Sequence, residues 1–221
     1  RLAISASFDR TLRLWDLETG IGVRTLSHRS PVSAVTVTPD RTIAISGSQD
    51  GALTLWDLEN GQELRTWLGH QRQIEALAVT PDGLRIISGA YDGTITVWEL
   101  ATGEVVRTLK AHRHCVNAII VTPDGSQAIS VSENIQIWDL EGDSEPRTLE
   151  HPTGQILAIA PLPEEGRFLL GCWESTVRLW DMNAADRAKL ELYRDLAATP
   201  QETMLRMVAP IPGLAKASAF E

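Results

Sequence analysis

The chain has 221 residues, 43% of them hydrophobic and 22% charged, with a formal net charge of −9. That apolar share is ordinary for a folded domain and excludes a disordered acidic chain. The negative balance excludes general binding to a nucleic-acid backbone, which needs a basic footprint. No apolar run approaches the ~18 residues that would cross a bilayer as a helix, and no secretory leader is visible. The chain opens on Arg1 inside a strand-like run, so the segment is expected to be cut from something longer. Two cysteines, Cys115 and Cys172, are too few and too far apart for a disulfide framework. They read as reduced thiols, and the expected compartment is the cytoplasm.

The chain is periodic. Tryptophans at 15, 56, 98, 138 and 180 are spaced by 41, 42, 40 and 42 residues, each followed by an acid. A period near forty marks one supersecondary unit copied in tandem. In chain order, residues 1–28 read as a partial first repeat, in which RLAISASFD supplies a second strand and its turn acid. Residues 29–69 are the second repeat, carrying SGSQDGALTLWDL at 46–58.

Residues 70–111 form the third repeat and the clearest. Ile74 to Val79 reads as a strand. Thr80-Pro81-Asp82-Gly83 is a turn, with proline presetting φ and glycine allowing a positive one. Leu84 to Ala90 is a second strand, Tyr91-Asp92-Gly93 a tight hairpin connection, and Thr94 to Leu100 a β-branched third strand. After Ala101-Thr102-Gly103, Glu104 to Leu109 gives a fourth. Ile95 and Val97 point to one face while Thr96 and Trp98 point to the other, so both faces need cover and neighbouring copies supply it.

Residues 112–150 are the fourth repeat and 151–193 the fifth. Residues 194–221 read as a degenerate partial sixth, because GLAKASAFE resembles the opening nine residues. The rival reading is helical: residues 184–198 have helix-forming composition, and Thr199-Pro200-Gln201-Glu202 has the form of a capping box.

The sequence resembles the WD40 repeat family, whose repeats combine a Gly-His pair with a Trp-Asp pair. Gly69-His70 matches the first pair, while His28, His112 and His151 keep its histidine. Trp15-Asp16, Trp56-Asp57, Trp138-Asp139 and Trp180-Asp181 match the second, and Trp98-Glu99 departs conservatively. The recurring Val-Thr-Pro-Asp at 37–40, 79–82 and 121–124 is similar to repeat-rich prokaryotic members. The resemblance implies an all-β fold, a WD40-type β-propeller segment of four-stranded antiparallel blades, part of a seven-bladed ring. Seven such repeats would need about 290 residues.

The resemblance also implies a buried relay in each blade. His70, Asp92, Ser88 and Trp98 would form it in repeat three, and His28, Asp50, Ser46 and Trp56 in repeat two. The chemistry is complementary: Trp donates only, a carboxylate accepts only, and His and Ser do both. A catalytic reading of these sets fails because they recur in each repeat. Repeat four departs from the pattern. It is two residues shorter between Ser130 and Trp138 than repeat three is between Ser88 and Trp98, and Ser132 stands where the turn acid is expected, leaving His112 free or differently paired.

In this family the loops carrying the histidine and the turn acid share one face. The residues before the turn acids are Phe8, Gln49, Tyr91 and Trp173. Those after the histidines are Arg29, Gln71 with Arg72, and Arg113 with His114. Aromatic and arginine side chains are typical interface anchors, and the combination suits an acidic or extended peptide. Glu18, Glu59 and Glu104 mark the opposite rim. His112, His114 and Cys115 place three metal-ligand types within four residues, but His112 is in phase with the repeating histidines and no second cluster faces it. No metal or cofactor is expected, and no phosphate-binding glycine loop, HExxH or GxSxG is present. The reading is a non-catalytic protein-interaction scaffold binding a protein or peptide, not nucleic acid or membrane. The alternatives are a ligand-sensing propeller attached to a signalling ATPase or kinase and, in another class, a propeller-based hydrolase.

Overall fold

In a computed structural model of the chain, the structure describes residues 1–142, 144–149, 154–162 and 166–181, and the backbone of 191–193. The tail expected as a sixth repeat or as helices, its capping box and His151 lie outside the described residues. All the regular structure described is β. Strands β1 (Leu2–Ala6), β2 (Thr11–Asp16) and β3 (Gly22–Ser27) make a three-stranded sheet. The second sheet is β4 (Val32–Val37), β5 (Ile43–Ser48), β6 (Ala52–Asp57) and β7 (Glu63–Leu68). The third is β8 (Ile74–Val79), β9 (Arg85–Ala90), β10 (Thr94–Glu99) and β11 (Val105–Lys110). The fourth is β12 (Ala118–Val121), β13 (Gln127–Val131), β14 (Ile135–Asp139) and β15 (Arg147–Leu149). The fifth is β16 (Ile156–Pro161), β17 (Arg167–Cys172), β18 (Thr176–Asp181) and β19 (Glu191–Tyr193). Within each sheet the strands run in sequence order and every pair is antiparallel.

The sheets stack face to face in chain order, and their first strands touch in succession: β1 to β4, β4 to β8, β8 to β12 and β12 to β16. The alternation read in repeat three has its physical counterpart here. Ile95 and Val97 enter the core shared with sheet four, beside Val116, Ala128 and Trp138. Trp98 enters the core shared with sheet two, beside Leu53, Leu55, Ile74 and Ile86. Trp56 likewise faces sheet one, and Trp180 sheet four. Trp56, Trp98, Trp138 and Trp180 therefore each seal their blade against the one before it. Gly47 and Gly89 set the spacing near the axis. A Cβ on Gly89 would sit 2.5 Å from Val116 Cγ1, and one on Gly47 would sit 2.5 Å from Ile74 Cγ2.

The Val-Thr-Pro-Asp turns share one hydrogen-bond set. Thr80 Oγ1 donates to Asp82 Oδ1 at 2.5 Å and accepts from the Arg85 amide at 3.0 Å, while the Gly83 amide returns to the Thr80 carbonyl at 2.8 Å. Thr38 and Thr122 repeat the pattern with Asp40 and Asp124. The threonine hydroxyls hold these carboxyls below the ordinary range, Asp124 at about 2. The fourth turn residue is left-handed: Gly83 at φ +73° and Gly125 at +74°, but Arg41 at +64°. An L side chain is strained there by about 1–2 kcal/mol, part of which glycine gives back through unfolded-state entropy. Arg41→Gly should therefore raise stability by about 0.5–1 kcal/mol in urea denaturation. An unchanged midpoint would mean that the Arg41 side chain compensates the strain.

Candidate functional site: the turn and histidine rim

The histidine-bearing loops of blades two, three and four each hang from the turn of the blade before. The amides of Gly69 and His70 donate to the Gly51 carbonyl at 2.9 and 3.0 Å, and those of Ala111 and His112 to the Gly93 carbonyl at 3.1 and 3.0 Å. His28 donates likewise to the Arg10 carbonyl at 2.8 Å. Each turn is also tied to its own blade's entry loop. Gln49 donates to the Pro31 carbonyl, Tyr91 to that of Gln73 and Trp173 to that of Gln155, at 2.8–2.9 Å. These bonds gather the turn residues Phe8, Gln49, Tyr91 and Trp173 and the loop residues Arg29, Gln71, Arg72, Arg113 and His114 at one end of the stack. All nine are exposed. The three aromatics are strongly so, Phe8 at 63%, Tyr91 at 62% and Trp173 at 71%.

Beneath this rim lie the buried polar chains. In blade three the Trp98 indole N–H donates to Ser88 Oγ at 2.8 Å, Ser88 Oγ meets His70 Nε2 at 2.6 Å, and His70 Nδ1 meets Thr94 Oγ1 at 3.0 Å. Thr94 Oγ1 then donates to Asp92 Oδ1 at 2.6 Å. The resemblance implied a direct contact from carboxylate to imidazole; here a threonine hydroxyl stands between them. Burial depresses the His70 pKa, with Asp92 opposing, so the imidazole is neutral. Burial works against the charged Asp92 as well, but the bonds from Thr94 hold its carboxyl below the ordinary range.

Blade two differs from the four-member set written for it. Trp56 N–H reaches Ser46 Oγ at 2.9 Å, but His28 has no hydrogen bond to that serine. Its Nδ1 accepts the Ser30 amide at 3.2 Å, its Nε2 is buried without a partner, and its ring tilts against Trp56 at 5.9 Å. Ala52 stands where blade three has Thr94, so no hydroxyl orients the imidazole, and Asp50 accepts from Ser48 at 2.6 Å instead.

In blade four His112 is not free. Its Nε2 meets Ser130 Oγ at 2.8 Å, and Trp138 N–H donates to the same oxygen at 2.9 Å. The two-residue shortening is shared by the two arms of the hairpin, so Ser130 and Trp138 keep their diagonal relation across β13 and β14. This use of His112 removes it from the cluster with His114 and Cys115. His114 is exposed, and Cys115 is half-buried with its thiol pushed up to about 12 by burial and the nearby Glu75.

One set of contacts between blades follows a period in the sequence. Arginine recurs nine residues after the anchoring tryptophan, at Arg24, Arg65, Arg107 and Arg147. Arg65 Nη1 donates to the Thr102 carbonyl at 2.6 Å and Arg107 Nη1 to that of Gly142 at 2.6 Å. Arg24 lies against Gly61, where a Cβ would meet its Nη1 at 2.5 Å. Arg65 and Arg107 thus clasp the next blade's outer turn, and Arg24 packs on one, at the end opposite the aromatic rim.

The family pattern described as "WD domain, G-beta repeat" matches residues 21–57, 61–99, 103–139 and 144–181. The chain belongs to the WD40 repeat family. Its sheets are the four-stranded antiparallel blades of a WD40 propeller. Over 37 residues it is also 54% identical to the mouse F-box-like/WD repeat-containing protein TBL1X, a stretch covering 16% of this chain and 7% of that protein. The chain thus matches only a small part of that relative's length. Among the described residues, no helix is long and apolar enough to cross a membrane.

The relay histidines make an acid-stability prediction for this WD40 chain. Burial lowers the folded pKa of His28, His70 and His112 below the ordinary 6.5. A depressed folded pKa gives stability that is complete above the unfolded value and lost as pH falls toward the folded one. Unfolding free energy should therefore be level above pH ~6.5 and decline below it, ahead of any carboxylate transition. Urea denaturation across pH 8 to 5 reads this directly. A level curve would show that the imidazoles take up protons in the fold without cost.

Proposed function

We propose that this chain is part of a seven-bladed WD40 propeller serving as a non-catalytic protein-interaction scaffold. Its partner would bind the rim of Phe8, Gln49, Tyr91 and Trp173 together with Arg29, Gln71, Arg72, Arg113 and His114. The observation that carries this is the exposure of three large aromatics at one repeated turn position, where neither the core nor the relays use them. Exposed rigid aromatics flanked by arginine are what interface anchors require. The arginines favour an acidic or extended peptide. Family membership and the partial likeness to another WD-repeat protein support the interaction role.

The non-catalytic reading is supported by burial. Ser46, Ser88 and Ser130 are each 0% exposed and hold the tryptophan N–H, so these Ser–His sets present no nucleophile to a substrate. The test is a titration of Tyr91→Ala, Trp173→Ala and Arg113→Ala, with Glu59→Ala on the opposite rim as control, against a partner recovered by affinity pull-down. Loss of an anchor is expected to cost about 2 kcal/mol or more, roughly thirtyfold in affinity. Arg113→Ala should chiefly slow association and flatten its salt dependence. Wild-type binding by all three, with loss in Glu59→Ala, would put the partner on the other end.

A further inference from the structure

Blade four carries a cluster of buried polar atoms that its relay does not use. His112 Nδ1, Glu133 Oε2 and Asn134 Oδ1 are all buried and without a hydrogen-bond partner. The His112 side chain is 0% exposed, and its Nδ1 stands 4.0 Å from Glu133 Oε2. Glu133 is fixed from its other oxygen, because the Arg113 amide donates to Oε1 at 3.1 Å. The comparison with blade three shows what is unmet. There, the hydroxyl of Thr94 sits between imidazole and carboxylate, accepting from the one and donating to the other. Thr94 lies four residues before its tryptophan, and the residue four before Trp138 is Asn134. An amide oxygen accepts but cannot pass a proton on to a carboxylate.

We infer that blade four binds one ordered water molecule beneath its turn, held by His112 Nδ1, Glu133 Oε2 and Asn134 Oδ1, in the role that Thr94 plays in blade three. The donor and acceptor count closes for these three atoms and the relay above them, while the buried Ser132 hydroxyl lies beside Glu133. Trp138 N–H donates to Ser130 Oγ, the Ser130 hydroxyl donates to His112 Nε2, and His112 carries its proton on Nδ1. The water accepts from Nδ1–H and donates one hydrogen to the carboxylate and one to the amide oxygen. A 4.0 Å gap is too long for a direct bond and is spanned by a water bonded to both ends. Three partners are what a buried water typically has. The cluster lies under the rim but needs no partner protein, so it does not depend on the proposed scaffold role.

The test uses this chain as it stands. A high-resolution crystal structure should show a water within hydrogen-bond distance of all three atoms. In solution, the His112 ring should give a pyrrole-type Nδ1 and a pyridine-type Nε2 nitrogen shift, with a water cross-peak of the sign given by a long-lived bound molecule. Asn134→Thr installs the blade-three hydroxyl. It should abolish that cross-peak while leaving the thermal midpoint unchanged or higher. Direct contact of His112 Nδ1 with Glu133 or Asn134 and no water density would overturn the inference. So would an Nε2-protonated ring, or a cross-peak that survives in Asn134→Thr.

Discussion

Gly93→Ala should lower stability by about 3–5 kcal/mol, and Gly51, whose Cβ would lie equally close to the His70 carbonyl at the same φ, should behave alike. Two costs fall on one atom. Gly93 has φ +81°, and its Cβ would lie 2.1 Å from the His112 carbonyl oxygen, with that residue's carbonyl carbon at 2.9 Å. The left-handed conformation alone costs an L residue about 1–2 kcal/mol. The clash is with backbone, which cannot rotate aside, and forced overpacking adds about 1–3 kcal/mol or more. Relief requires the His112 loop to move, which breaks its two bonds to the Gly93 carbonyl and draws His112 away from Ser130. Gly103→Ala is the matched control: φ is +73°, but the nearest atom is 3.5 Å away, on the Trp67 ring. It should cost only the conformational part. Thermal unfolding separates the two, since a chain of this size shifts by about 2–4 °C per kcal/mol. Equal shifts in the two variants would show that the loop yields freely and the close approach is not structural.

Ser88→Ala should cost about 3 kcal/mol, and Ser46→Ala only about half of that. In blade three the hydroxyl serves both Trp98 N–H and His70 Nε2. Its removal leaves two buried polar groups unmet, at about 1–3 kcal/mol each. In blade two the homologous hydroxyl accepts from Trp56 N–H and donates, at 3.4 Å, to the Thr54 carbonyl, but it serves no imidazole, because His28 is bonded elsewhere. The double variant Ser88→Ala with Trp98→Phe should cost less than the sum of the singles, since the two share one network. Denaturant midpoints for the two serine variants, side by side, give the answer. Equal losses would mean that the longer chain of blade three adds nothing to its stability.

Much of this was readable from residue order. The positions of Trp56 and Trp98, ten residues after Ser46 and Ser88, placed each indole diagonally across a hairpin from its hydroxyl, because strand periodicity and a short turn leave no other register. The turn motif at 80–83 carried its own geometry. The contribution of Thr94 was not legible, since a threonine opening a strand is what β-propensity alone would choose. Ala52 was equally silent: its effect is the absence of a hydroxyl, visible only when His28 is seen turned away from Ser46. Blade four misled because its acid, Glu133, comes one position later than counting from the tryptophan expects. Its extra methylene still brings it to 4.0 Å from His112. The arginines nine residues after Trp15, Trp56, Trp98 and Trp138 were in plain periodicity, but a charged residue on an outer strand reads as solvated until the neighbouring turn is placed beside it.

The hanging of each histidine loop from the preceding turn means that no blade here is a self-contained lodger. Amides of His70 and His112 can be shielded from solvent only while the Gly51 and Gly93 carbonyls of another blade are in place. The natural unit of opening is therefore a seam, one blade's turn together with the next blade's entry, and not a sheet. In nearest-neighbour terms, part of the stability sits in the coupling between units. Loosening one turn would then be felt first in the hydrogen-exchange protection of the following blade, giving the array a direction along which disorder travels.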